Sequence, residues 1–319
     1  MAHSERARVV VTGGAGFIGS HTVDALLASG ASVCVVDNLS SGKLSNLPSH
    51  DALEFVEADI CDARALEAAL TGTTHCLHLA AQVSVIRSVE DPVHSARQNI
   101  LGFVNLLQCA VSQGVKRVVY ASSAAVYGTP ESLPLSEDAA LEPLSPYGLE
   151  KQVDEQYAAL FASLHGLSCM GMRFFNVYGP RQDPASPYAG VISKFVDRFA
   201  QGQAPVIYGD GGQTRDFVYV EDVARANVAA LFSDHGGACN VATGSTIDLL
   251  ELVDTLRDVM GVKLAPEHVA GRADDIRHSC GDASRLREWL DIKAEWSLAD
   301  GLAQLVRSAS RNANTGAST

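Results

Sequence analysis

The chain has 319 residues, of which 47% are hydrophobic and 19% charged, and its net charge is −13. That is the composition of a globular protein large enough for one big domain or two closely packed ones, and so acidic a chain is not a generic nucleic-acid binder. Any phosphate it holds must be held locally, by backbone N–H groups and a few placed arginines.

The first predicted strand is the β-branched run Arg8-Val9-Val10-Val11. It leads into Thr12-Gly13-Gly14-Ala15-Gly16-Phe17-Ile18-Gly19, after which residues 21–28 have helical composition. Glycines at 13, 16 and 19 meet the demands of a dinucleotide turn: a tight bend, close backbone approach to a pyrophosphate, and a helix N-terminus aimed at it. The second strand, residues 32–36, ends at Asp37. A carboxylate there accepts a ribose 2′-hydroxyl and repels a 2′-phosphate, which favours NAD over NADP.

Further strands are expected at 53–56, 74–79, 117–121 and 168–174, with helices at about 92–112 and 147–165, the second stopped by Gly166. Strands alternating with helices predict an α/β fold, a Rossmann-type doubly wound parallel sheet. Beyond Phe174, prolines and glycines loosen the rhythm, and a smaller C-terminal α/β substrate domain is expected, with helices near 246–260 and 298–308. The expected division is an NAD-binding domain at 1–175 with a return segment at about 216–240, a substrate domain at 176–215 and 241–308, and a disordered polar tail at 309–319.

Seven scattered cysteines without a Cys-x-x-Cys pair predict reduced thiols and no zinc or other metal site. The polar start, Met1 to Arg8, and the lack of any long apolar run predict a cytoplasmic protein with no membrane partner.

Tyr147 and Lys151 lie four residues apart in Ser145-Pro146-Tyr147-Gly148-Leu149-Glu150-Lys151, so a helix puts them on one face. A cation beside a phenol favours the phenolate, which otherwise forms only near pH ~10, and that is proton-transfer chemistry. Such spacing is common on solvated helix faces; the glycine turn, Asp37 and Ser122-Ser123 at a strand's carboxyl end give it weight. Small hydroxyls there are placed to bond a substrate oxygen and the Tyr147 phenol.

These residues resemble the extended short-chain dehydrogenase/reductase family from Val9 to about Leu305, and within it the UDP-glucose (UDP-N-acetylglucosamine) 4-epimerase group. Besides the glycine turn, the matching segments are Asp37-Asn38, Asp59-Ile60, His78-Leu79-Ala80-Ala81, Asn99, Ser122 to Gly128, Tyr147-x-x-x-Lys151, Arg173 to Pro180 and Thr214 to Val218. The resemblance implies NAD as cofactor, a UDP-sugar as substrate and a homodimer paired through helices 92–112 and 147–165. Its implied cofactor set is Gly13, Gly16, Phe17, Ile18, Gly19, Asp37, Asn38, Asp59 and Ile60 (the last two lining the adenine), Leu79, Ala80, Ala81, Asn99, Ser122, Tyr147, Lys151 and Phe174.

By the same resemblance, Ser123 and Tyr147 contact the sugar 4-hydroxyl, while Lys151 binds the nicotinamide ribose and lowers the tyrosine pKa. Asn176 binds the diphosphate through its amide, and Arg215 and Arg272 neutralise it. Val83, Ser84, Gln182, Gly190, Val191 and Tyr208 complete the implied substrate set. Dehydratase relatives carry an Asp-Glu pair after the hydroxyl residue, where this chain has Ala124-Ala125. Epimerisation at C4 is therefore the expected reaction. The resemblance also implies a gate seven positions after Arg272, where bulk excludes an N-acetyl group; here that residue is Ser279, so UDP-GlcNAc and UDP-GalNAc are expected beside UDP-Glc and UDP-Gal. The alternatives are a UDP-glucuronate 4-epimerase, which needs a cation or hydroxyl cluster for the C6 carboxylate, and a non-catalytic NAD-binding interaction protein, which typically loses the tyrosine or the lysine.

Overall fold

A computed structural model describes residues 7–183, 190–271 and 276–316, with side chains to 309. Seven strands form one parallel sheet: β1 (Arg8–Thr12), β2 (Ser32–Asp37), β3 (Leu53–Glu57), β4 (His75–His78), β5 (Arg117–Ser123), β6 (Ser168–Phe174) and β7 (Gly237–Val241), in the order β7-β6-β5-β4-β1-β2-β3. Every pairing is parallel, so all seven carboxyl ends lie along one edge of the sheet. The strand order reverses between β1 and β4, which opens the crevice where ligands settle in such sheets.

Strands covered on both faces must be apolar on both. Val9, Val10 and Val11 of β1 are all fully buried, Val9 and Val11 on one face with helices Phe17–Ala28 and Val220–Leu231, Val10 on the other with helices Ala63–Leu70 and Gly102–Ser112. Each such side chain contributes about 1.5–3 kcal/mol. A third apolar cluster, around Tyr178, Phe195, Tyr219, Leu252 and Leu302, builds a smaller lobe on helices Val191–Ala200, Leu249–Met260 and Leu298–Gly316.

Three expectations are corrected. The segment expected as one helix over 92–112 is preceded by a helix Val85–Glu90, breaks at Asp91, and passes from Pro92–Ala96 through a π-helical turn, Arg97–Leu101, into Gly102–Ser112. Asp91 accepts the His94 N–H as cap, with Pro92 in the first turn, and this restarts the helix. The helix expected from 246 starts at Leu249, because Ile247–Asp248 pairs antiparallel with Thr214–Arg215 and Asp248 then closes a capping box with Glu251. The stretch 309–316, expected as tail, continues the helix to Gly316.

All seven cysteines are free. Among the described residues no helix is long and apolar enough to cross a membrane.

Candidate active site

The glycine turn is wedged between two strand ends. Gly13 sits at φ +70°, its N–H donates to the Val36 carbonyl at 2.8 Å, and a Cβ on it would lie 2.6 Å from the Ala80 nitrogen. A Cβ on Gly19 would lie 2.1 Å from the Gly13 carbonyl oxygen, so the helix packs directly on the turn. Gly16 caps that helix without any side-chain acceptor, and the first-turn N–H groups at Phe17 and Ile18 are aimed where an anion binds. Asp37 accepts Ala15 N–H at 3.0 Å and Leu39 N–H at 2.9 Å on different oxygens. It is thus a turn former that still has lone pairs for a ribose hydroxyl. Exposed Asn38 and half-buried Asp59 lie side by side; burial raises the Asp59 pKa, but hydrogen bonds from Cys61, Gln98 and Asn38 outweigh it and hold the carboxyl below its usual range. Ile60 is buried, 5% exposed, against the backbone of Gly102. The cradle fits a dinucleotide: a turn no side chain can enter, an uncapped helix end, and an acid at the end of β2.

Ser123 closes β5, opposite Phe174 of β6. Its hydroxyl accepts Ala125 N–H at 3.1 Å and so caps the short turn Ala124–Val126. Helix Pro146–His165 begins against that turn, since a Cβ on Gly148 would lie 2.6 Å from the Ala125 carbonyl oxygen. Its start is fixed by Ser145, which accepts Gly148 N–H at 3.1 Å, and by Pro146 in the first turn. Tyr147 donates its own N–H to Ser88 Oγ at 3.1 Å and its side chain is half buried. One turn on, Lys151 is 2% exposed and donates through Nζ to Asp154 Oδ2 at 3.3 Å. Burial, then the charge of Lys151, depress the His78 pKa to about 3, which places the lysine near the end of β4 and keeps that imidazole neutral. Thr12 Oγ1 and His78 Nδ1 are 2.7 Å apart.

Two expected cofactor side chains point elsewhere. Ser122, one residue along the strand from Ser123, faces the other side of β5 and donates to Glu155 Oε1 at 2.6 Å, because strand side chains alternate. Glu155 in turn receives Arg173 in a two-pronged pair at 2.9 and 2.7 Å, and Arg173 also donates to Tyr127. Asn99, on the π-helical turn, bonds the Gln82 backbone through both amide ends and donates to Glu150 at 2.6 Å. It anchors the segment after β4, along with Leu79, Ala80 and Ala81, all half buried.

On the substrate side, Asn176 donates both its backbone and side-chain N–H to the Asp216 carbonyl, at 3.1 and 3.2 Å, which leaves its Oδ1 and one N–H for a ligand. The buried Asp216 carboxylate accepts from Thr243 N–H and Oγ1, Gly244 N–H and Gly281 N–H, and so ties three distant segments beside Arg215. Ser279 is in the same layer, its N–H donating to the Thr214 carbonyl at 3.2 Å. Ser193 Oγ donates to Gln182 at 2.6 Å, and Gly190 with Val191 opens the helix beside that glutamine. Val83 is 65% exposed, while Ser84 is buried and caps the helix Val85–Glu90. Tyr208 is at the edge of the smaller lobe, on a strand parallel to Glu267–Val269. Arg272 is outside the described residues.

Sequence reasoning missed Glu150, Asp154, Glu155 and Asp216. The helical period held a signal for the first three: Tyr147, Glu150, Lys151, Asp154 and Glu155 recur at three- and four-residue steps, so carboxylates share the lysine's buried face.

The family model described as NAD dependent epimerase/dehydratase matches residues 9–242. The chain is 43% identical to the UDP-glucose 4-epimerase of Mycolicibacterium smegmatis, with 94% of this chain and 97% of that protein covered. The UDP-N-acetylglucosamine 4-epimerase of Methanobrevibacter ruminantium, solved with UDP-N-acetylmuramic acid, is 40% identical at a TM-score of 0.94, covering 97% of this chain and 99% of that one. The Thermus thermophilus UDP-glucose 4-epimerase, solved with NAD, is 38% identical at a TM-score of 0.87, covering 94% and 98%. With this turn, this acid at the end of β2 and this match along its length, the chain belongs to the NAD dependent epimerase/dehydratase family, and its cofactor is NAD.

Proposed function

We propose that the protein is a 4-epimerase of UDP-hexoses that accepts UDP-GlcNAc/UDP-GalNAc as well as UDP-Glc/UDP-Gal. The observation that carries this reading is the seating of the Tyr147–Lys151 helix on the turn after Ser123, a turn whose next side chains, Ala124 and Ala125, bring neither acid nor base. When bound, NAD supplies a reversible hydride acceptor at C4 of the sugar. Ser123 holds the 4-hydroxyl, and Tyr147 takes its proton as the alcohol is oxidised. Lys151 supplies the positive charge that favours the phenolate. With Ala124 and Ala125 where an acid and base would expel a C6 substituent, the 4-keto sugar turns over and is reduced on its other face, and Tyr147 returns the proton. Arg215, with Arg272, balances the diphosphate charge. The small side chain of Ser279 beside the Arg215 strand supports room for an acetamido group.

A homodimer belongs to the same reading. Leu149, Leu160 and Leu164 are 52%, 54% and 72% exposed along one helix, next to exposed Val89, Val93 and Leu101, an apolar surface that a second copy would cover.

The test is an isotope label. Given UDP-glucose deuterated at C4, the enzyme is expected to deliver UDP-galactose with the deuterium still at C4, read by mass spectrometry. Loss of the label to water would mean direct deprotonation and refute the mechanism.

A further inference from the structure

Three carboxylates follow one another on the inner side of helix Pro146–His165, and they are not equivalent. Glu150 accepts from Ser95 and Asn99, and Glu155 accepts from Ser122 and Arg173. Asp154 is 1% exposed, and its Oδ1 is buried with no hydrogen-bond partner among the described residues. Its other oxygen lies 3.3 Å from Nζ of Lys151, in an ion pair where both side chains are 2% exposed. A buried carboxylate with one oxygen unpaired is costly, and the hydrogen bond and charge of the Lys151 ammonium at the other oxygen offset it. That ammonium is also the charge on which Tyr147 depends.

We propose that Asp154 is a positioning residue for Lys151, its carboxylate setting how much of the ammonium's charge reaches Tyr147. The inference rests on the reading of Tyr147 as the acid/base. Ionised, Asp154 draws Lys151 toward itself and cancels part of its field; protonated, it releases the lysine toward the phenol and the cofactor. The surroundings allow both states. On its own helix Asp154 faces Lys151, Glu150 and Glu155; across the packed face is Tyr120 of β5, which in turn faces Cys169 and Arg173 of β6, and His78 of β4 faces the lysine. Burial pushes the Asp154 pKa up to about 7 against the pull of Lys151, so the switch lies in the neutral range.

The experiment reads Tyr147 directly. Phenolate absorbance is titrated in NAD-bound and NAD-free wild type minus Tyr147→Phe, and in Asp154→Asn minus Asp154→Asn/Tyr147→Phe. Removing the negative charge is expected to move the Tyr147 titration down by roughly one pH unit, with the acidic limb of kcat moving equally. Asp154→Ala, which leaves no amide to satisfy, should shift it the same way if the asparagine variant folds poorly. An unmoved titration, with or without lower activity, reduces Asp154 to a structural residue and overturns the proposal, as does an upward shift. The absorbance needs no substrate. If the shift occurs in a protein that epimerises no UDP-hexose, the proposed activity fails and the Asp154 assignment stands.

Discussion

At the residue scale, the central pair was legible because it depends only on local spacing: Tyr147 and Lys151 are one helical turn apart, and Asp37 ends a strand. Their partners were not. Charged residues belong on the surface by default, so Glu150 and Asp154, 3% and 1% exposed, gave no sign of burial when read one by one. Ser122 and Ser123 could be told apart only once β5 and its neighbours fixed which face held Glu155. The dependence of turnover on the phenol is the plainest consequence. Tyr147→Phe removes the proposed proton carrier and leaves the helix, its Ser145 cap and the glycine turn intact. Turnover should fall by on the order of 10²–10⁴ while bound NAD is retained, checked by steady-state kinetics beside cofactor extraction. Near-normal turnover would move the acid/base role elsewhere.

At the scale of elements, the strand–turn–helix rhythm gave the sheet, because continuous apolar runs such as Val9-Val10-Val11 announce doubly covered strands. Gly237–Val241 was harder to read: Gly-Ala-Cys-Asn-Val has little β-branched character, and it earns its place as β7 by pairing with β6. The π-helical turn at Arg97–Leu101 also leaves no local signature; its effect is to carry Asn99 to both Gln82 and Glu150. The glycine turn offers the sharpest test at this level. In Gly19→Ala the new Cβ meets the Gly13 carbonyl oxygen at 2.1 Å, so the helix must move off the turn. The expected cost is about 1–3 kcal/mol of stability and the loss of most NAD binding, measured by calorimetry and by NAD titration. A variant that keeps both would show that the turn is looser than its geometry implies.

At the scale of the whole molecule, the substrate side was the least legible part, because it is assembled from residues distant in the chain. Asn176, Thr243, Gly244 and Gly281 meet only at Asp216, and no local pattern announces that. The exposed leucine stripe of helix Pro146–His165 tests the proposed homodimer: Leu160→Glu with Leu164→Glu should turn a dimeric wild type into a monomer by light scattering, and a monomeric wild type or an unchanged dimer would overturn that interface. The central claim concerns the reaction itself. Purified protein, with no NAD added, is incubated in turn with UDP-Glc and UDP-GlcNAc and followed by proton NMR. The account predicts that the C4 epimer of each appears and approaches equilibrium with no other product. No epimer from either sugar, in protein shown to carry NAD, would contradict it.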